Sequence, residues 1–195
     1  INMATFTICG LTMGVTVLIG RYLGEGRPER SGRVIGGVIC FFLSLAAVLT
    51  VFLLLLARPI AVLMQAPEEA LDLTVQYIRI CGAGMVFVIA YNVISSVFRG
   101  MGDSRLPLIF VAIACGANVI GDLVLVAGFH MNVAGAALAT VGAQAISVIL
   151  SLVIIRRQKL PFTFCKEDIG FSREVKKFLV IGAPMAFQEL LTNLT

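Results

Sequence analysis

Residues 106–155 read LPLIFVAIACGANVIGDLVLVAGFHMNVAGAALATVGAQAISVILSLVII, fifty positions with Asp122 as the only charged side chain. A membrane-crossing helix needs about 20 apolar residues, so this stretch holds two. Phe129, His130, Met131 and Asn132 supply a short turn between them. Residues 106–128 and 133–155 therefore read as an antiparallel helical hairpin in a bilayer. In the second arm Gly135, Ala139 and Ala143 recur every four residues, a stripe of small side chains that lets helix backbones approach closely in lipid.

The same pattern continues outward. Uncharged runs cover residues 1–20, 34–57 and 80–98, and another apolar run begins at Phe178 and is interrupted by Pro184. Over all 195 residues the chain is 59% hydrophobic and 13% charged, with a mean hydropathy of +1.01. Soluble chains carry about 25% charged residues, so a water-soluble domain is excluded. The expected fold is all-α, a polytopic transmembrane bundle of five spans. Ile1 and Thr195 both stand inside apolar runs, which reads as an internal piece of a longer protein.

The basic residues set the orientation. Of fifteen Lys and Arg, thirteen fall in loops 21–33, 99–105 and 156–177, while the opposite side holds only Arg58 and Arg79. The positive-inside rule places those three loops in the cytoplasm of a protein of the plasma (inner) membrane. The net charge of +4 is explained by this topology, and no basic face tracks a nucleic acid.

Composition removes most catalytic readings. His130 is the single histidine, and the five cysteines form no C-x-x-C pair. A His-based metal cage, a zinc site, a disulfide framework and a Ser/His/Asp triad all lack parts. Gly24-Glu25-Gly26 and Gly100-Met101-Gly102 match no complete phosphate-binding fingerprint and read as cytoplasmic turns. The chain is expected to be no enzyme and to use no organic cofactor. Its partners are the bilayer and a small molecule, with no requirement for an oligomer.

The polar groups inside the apolar runs carry the chemistry. Asp122 is the most informative, because an ionised carboxylate at bilayer depth is costly and usually faces a cavity where ions, protons or substrates bind. Asn118 lies four residues earlier on the same helix face. Thr140 lies ten residues past His130 and Asp122 eight before it, so both sit roughly 12–15 Å from the turn at 1.5 Å per residue, with Asn118 one turn deeper, and a hairpin lets the three converge. Three oxygen ligands suit a hard monovalent cation such as Na+. A carboxyl in apolar surroundings also holds a proton more readily than in water, which suits H+. The alternative is a helix-packing hydrogen bond. Glu189, with Gln188 beside it, is the second acid in an apolar run, and with Tyr91 and Asn92 completes the candidate substrate cavity. Ordinary interhelical hydrogen bonding is the competing reading for Tyr91 and Asn92, and Phe87 or Met185 suit a promiscuous cavity wall. No Lys or Arg lies inside any run, so cationic cargo is favoured over anionic cargo.

Several stretches then fall into order. They are Gly14-Val-Thr-Val-Leu-Ile-Gly20 with Leu23-Gly24-Glu25-Gly26, and Phe98-Arg99-Gly100-Met101-Gly102-Asp103 with Pro107. Next come Asn118-x-x-x-Asp122, Gly135-Ala-Ala-Leu-Ala-Thr140 with Gln144, and Gly182-Ala183-Pro184 with Gln188. Together they resemble the multidrug and toxic compound extrusion (MATE) transporters, over essentially the whole chain. The resemblance implies a twelve-helix antiporter of two six-helix lobes. Residues 1–177 would be helices two to six of the first lobe with a cytoplasmic loop, and 178–195 the start of the first helix of the second. It also implies a cation site in which Asn118, Asp122 and Thr140 join an aspartate from a helix preceding Ile1.

The expected function is secondary active export of cationic or amphipathic organic compounds in exchange for Na+ or H+. The alternatives are a flippase for lipid-linked saccharides, which would need basic residues in its cavity, and a membrane-embedded enzyme or structural subunit.

Overall fold

A computed structural model describes residues 2–65, 67–157 and 173–194. Every regular element among them is helical. The order is α1 (Asn2–Gly24), α2 (Pro28–Leu55), α3 (Ala57–Leu63), α4 (Glu68–Ala83), α5 (Met85–Gly100), α6 (Arg105–Asp122), a π-helical segment (Leu123–Gly128), α7 (Asn132–Arg157) and α8 (Arg173–Leu194). Thr7–Gly24, Pro28–Leu55, Arg105–Gly128 and Asn132–Arg157 are each long and apolar enough to cross a bilayer, and α4 with α5 forms a fifth, bent candidate.

The helices start and stop differently from the apolar runs. The apolar run 34–57 sits in a helix that begins at Pro28, where proline is tolerated because a first-turn N–H has no intrahelical acceptor. Arg30 and Arg33 therefore stand on α2, and the basic loop 21–33 shrinks to the turn at 25–27. Gly26 (φ +68°) and Gly102 (φ +85°) occupy the left-handed region and close α1 and α5. There Arg27 N–H donates to the Tyr22 carbonyl at 2.9 Å and Asp103 N–H to the Phe98 carbonyl at 3.0 Å, the six-to-one bond of a glycine-terminated helix. Asp103 rather than Ser104 caps α6, its Oδ1 accepting from the N–H groups of Arg105 and Leu106 at 3.0 and 3.2 Å. Most of the loop at 156–177 lies outside the described residues.

The run at 80–98 is the largest departure. It is a bent pair, α4 and α5, meeting at Gly84 with a 45° change of direction. A glycine pair brackets the break, and such pairs are a recognised source of kinks. A Cβ on Gly84 would collide with the Val141 side chain of α7, and one on Gly82 would lie 2.8 Å from the Leu53 Cβ of α2. Beside the bend, the Thr50 hydroxyl of α2 donates to the Gly82 carbonyl at 3.2 Å. Thr50→Val keeps the shape and removes that donor. It is expected to cost about 1 kcal/mol, read as a lower melting temperature of the detergent-solubilised protein, and an unchanged melting curve would refute the assignment.

Packing arranges the helices around two centres. α1 lies against α8, α5 and α2, while α7 lies against α6, α4 and α5. Phe42 stacks on Phe178, and Phe41 meets both edge-on, tying α2 to α8. At the α1–α8 contact a Cβ on Gly14 would stand 2.5 Å from the Phe178 carbonyl oxygen and 2.7 Å from the Gly182 nitrogen. The outward side of α2 remains apolar and exposed at Leu43, Val48, Val51 and Leu55, as a lipid-facing helix requires.

Candidate functional site

The hairpin of α6 and α7 is closed by small residues. A Cβ on Gly121 would lie 2.9 Å from the Ala139 Cβ, and one on Gly135 3.1 Å from the Leu125 backbone carbon. Gly135, Ala139 and Ala143 are all buried, so the four-residue stripe is the face that α7 turns inward. His130 and Asn132 take positive φ in the connecting turn.

Within the hairpin the Asn118 amide donates to the Thr140 hydroxyl at 3.4 Å, and Thr140 donates to the Ala136 carbonyl at 3.0 Å. Asn118 and Thr140 line a cavity of about 230 Å³ together with Tyr91, Cys115, Ala143 and Gln144. Asp122 follows Asn118 by one turn, at the point where α6 passes into the π-helical segment. Its Oδ1 is shut off from solvent and has no hydrogen-bond partner among the described residues, and Gln144 Oε1 is in the same condition. The structure thus joins Asn118 to Thr140 and sets Asp122 beside them without a hydrogen bond to either. An unmatched buried acceptor costs about 1–3 kcal/mol, and a cation or a proton donor relieves it. No group of three or more His, Cys, Asp or Glu suited to a metal is found among the described residues, which leaves an amide, a hydroxyl and one carboxylate as the local oxygen set.

The remaining candidates separate. Tyr91 shares the Asn118 cavity, and its hydroxyl donates to the Pro107 carbonyl at 3.4 Å. Asn92 does not line that cavity. It is buried between α5 and α1, donating to the Val88 carbonyl at 2.8 Å and accepting from the Cys9 thiol at 3.3 Å. Gln188 lines a different cavity, about 280 Å³, with Met13, Met185 and Thr192 between α1 and α8. The Glu189 side chain lies outside the described residues. Phe87 is exposed on α5.

One residue that spacing did not single out lines the cavity. Gln144 stands one turn beyond Thr140 on α7, a position its own four-residue spacing could have revealed.

Comparison with known proteins bears on the family and the fold. The MatE family profile matches residues 1–124. Two Bacillus subtilis (strain 168) proteins, the probable multidrug resistance proteins YoeA and YpnP, are 28% and 29% identical to 99% of this chain. The matched parts are 43% and 44% of those proteins, so the chain spans less than half the length of the curated relatives it matches. A MATE protein crystallised in complex with MaD3S has the same fold, with a TM-score of 0.90 and 24% identity over 98% of this chain and 44% of that one.

Proposed function

Because the chain belongs to the MatE family, a family of multi-pass membrane proteins, we propose that it works in a secondary active antiporter exporting cationic or amphipathic organic compounds against Na+ or H+. The observation that carries this reading is the buried, unmatched Asp122 carboxylate oxygen beside the Asn118–Thr140 pair. A bound Na+ would draw on Asp122, Asn118 and Thr140, and a proton would sit on the Asp122 carboxyl. The names of YoeA and YpnP as probable multidrug resistance proteins support export of small molecules. The absence of Lys and Arg from the apolar runs favours cationic compounds among them. Loops 21–33, 99–105 and 156–177 face the cytoplasm in this reading, with the His130 turn on the opposite side. In this reading residues 1–177 belong to one lobe and its cytoplasmic loop, and the part of α8 from Phe178 onward opens the next.

The test is transport by the whole protein in liposomes under separately imposed sodium and proton gradients, followed with a monovalent cationic dye. Dye movement against one of the two gradients, abolished when that gradient is collapsed, is the expected result. Movement that ignores both gradients, or none at all, would overturn antiport.

A further inference from the structure

A cleft of about 950 Å³ opens between the end of α1, the first turn of α2 and the first turns of α8. Among the described residues its walls bring together Arg21, Arg27, Arg30, Lys176 and Lys177 with one acid, Glu25. That acid is engaged already, since Arg21 Nε donates to Glu25 Oε1 at 2.9 Å. The hydrogen bond from Arg21, then the charges of Arg21, Arg27 and Arg30, outweigh desolvation and hold the Glu25 carboxyl below its ordinary value.

Two of the cations stand over one ring. Tyr22 is buried at the back of the cleft, with the Arg30 guanidinium 6.0 Å and the Lys177 ammonium 5.8 Å from its centroid. Lys177 Nζ also donates to the Tyr22 hydroxyl at 3.1 Å. Charges from α2 and α8, distant in sequence, thereby meet at one ring. One turn further along the same helices the lining is apolar, with Leu18 on α1 and Val180 and Ile181 on α8, and Val180 is exposed. The cleft also sits where one candidate span ends at Gly24 and the next begins at Pro28, the depth at which lipid headgroups lie.

We propose that this cleft binds a phosphate group presented by an anionic membrane lipid, the headgroup held by Arg27, Arg30 and Lys176 and the acyl chains laid along Leu18, Val180 and Ile181. A free phosphate would use the cations and leave the apolar lining without a role. A lipid uses both, as basic pockets between membrane helices do. The assignment is independent of the antiport reading, which rests on α6 and α7.

Native mass spectrometry of the purified whole protein tests it, with phosphatidylglycerol or phosphatidylcholine of matched chains added in detergent. Retention of phosphatidylglycerol is expected to exceed that of phosphatidylcholine by about fivefold or more, roughly the factor one well-placed basic residue supplies. The variant R27A/R30A/K176A is expected to lose this preference, and R27K/R30K/K176R, which keeps the charges, to retain it. Equal retention of both lipids by the unmodified protein overturns the proposal, as does a preference that survives the alanine variant. Soluble glycerol phosphate carries the same headgroup without chains and is expected to compete at least about 100-fold more weakly, since it has no methylenes to bury along the apolar lining. Equal competition would identify a free phosphate as the ligand and overturn the lipid assignment.

Discussion

Asp122→Asn is expected to stop export by the whole protein while leaving its insertion and fold intact. The amide has nearly the shape of the carboxylate, so the packing of α6 on α7 through Gly121 and Ala139 has no reason to change. What is lost is the formal charge, and with it the partner for a cation and the carrier of a proton. A loss of at least about 100-fold, or roughly 2.8 kcal/mol, is the size expected when a charged ligand of an ion is removed. Thermal stability should move the other way or stay level, because the substitution takes away a carboxylate whose Oδ1 is buried without a partner among the described residues. Loss of function with stability kept is the signature of a group held at a cost for its activity. Drug resistance and dye efflux undiminished in cells making the variant at normal levels would exclude Asp122 from coupling.

The second large effect is structural. Gly14→Val is expected to force α1 and α8 apart. A Cβ at Gly14 meets backbone atoms, the Phe178 carbonyl oxygen at 2.5 Å and the Gly182 nitrogen at 2.7 Å, so no rotamer change on the far side can make room. The neighbouring Gly10 meets Ala186 in the same way, and the two contacts fix the helices at two successive turns. Overpacking of this kind costs about 2–3 kcal/mol, which lowers the melting temperature of a domain of this size by roughly 4–12 °C. The cavity of Met13, Met185, Gln188 and Thr192 lies along the same pair of helices, so binding there should weaken in step. A melting temperature unchanged by Gly14→Val would mean that the two helices do not meet at this point.

Much of this was legible from residues, because membrane spans announce themselves by length and hairpins by symmetry about their turn. Counting from His130 placed Asn118, Asp122 and Thr140 at similar depth, and Gly121 against Ala139 and Leu125 against Gly135 show the hairpin closing about that turn. The hydrogen bond itself was not legible. Whether Thr140 meets Asn118 or Asp122 depends on the azimuth of each side chain, which hydropathy does not encode. The bend at Gly84 escaped for a related reason. A break in an apolar run leaves no charge to mark it, and only the approach of Val141 and the Thr50 hydroxyl to Gly84 and Gly82 gives it away. Tyr91 and Asn92, adjacent in sequence, face different helices for the reason that any neighbours on a helix do, about 100° apart. One lines the cavity and the other ties α5 to Cys9 of α1.

The π-helical turn at Leu123–Gly128 has a consequence for energy transfer. Its bonds span five residues instead of four, as in the 3.0 Å bond from Phe129 N–H to the Val124 carbonyl, so it stores one residue more per turn than an α-helix would. Releasing that surplus would rotate the Phe129–Met131 turn relative to Asn118, with Asp122 at the pivot. If Asp122 holds the coupling ion as proposed, winding and occupancy would be linked quantities, and each could shift the other only by the ion's difference in affinity for the two windings. The work a coupling ion can do through Asp122 on this hairpin is bounded by that difference, however tightly the ion binds.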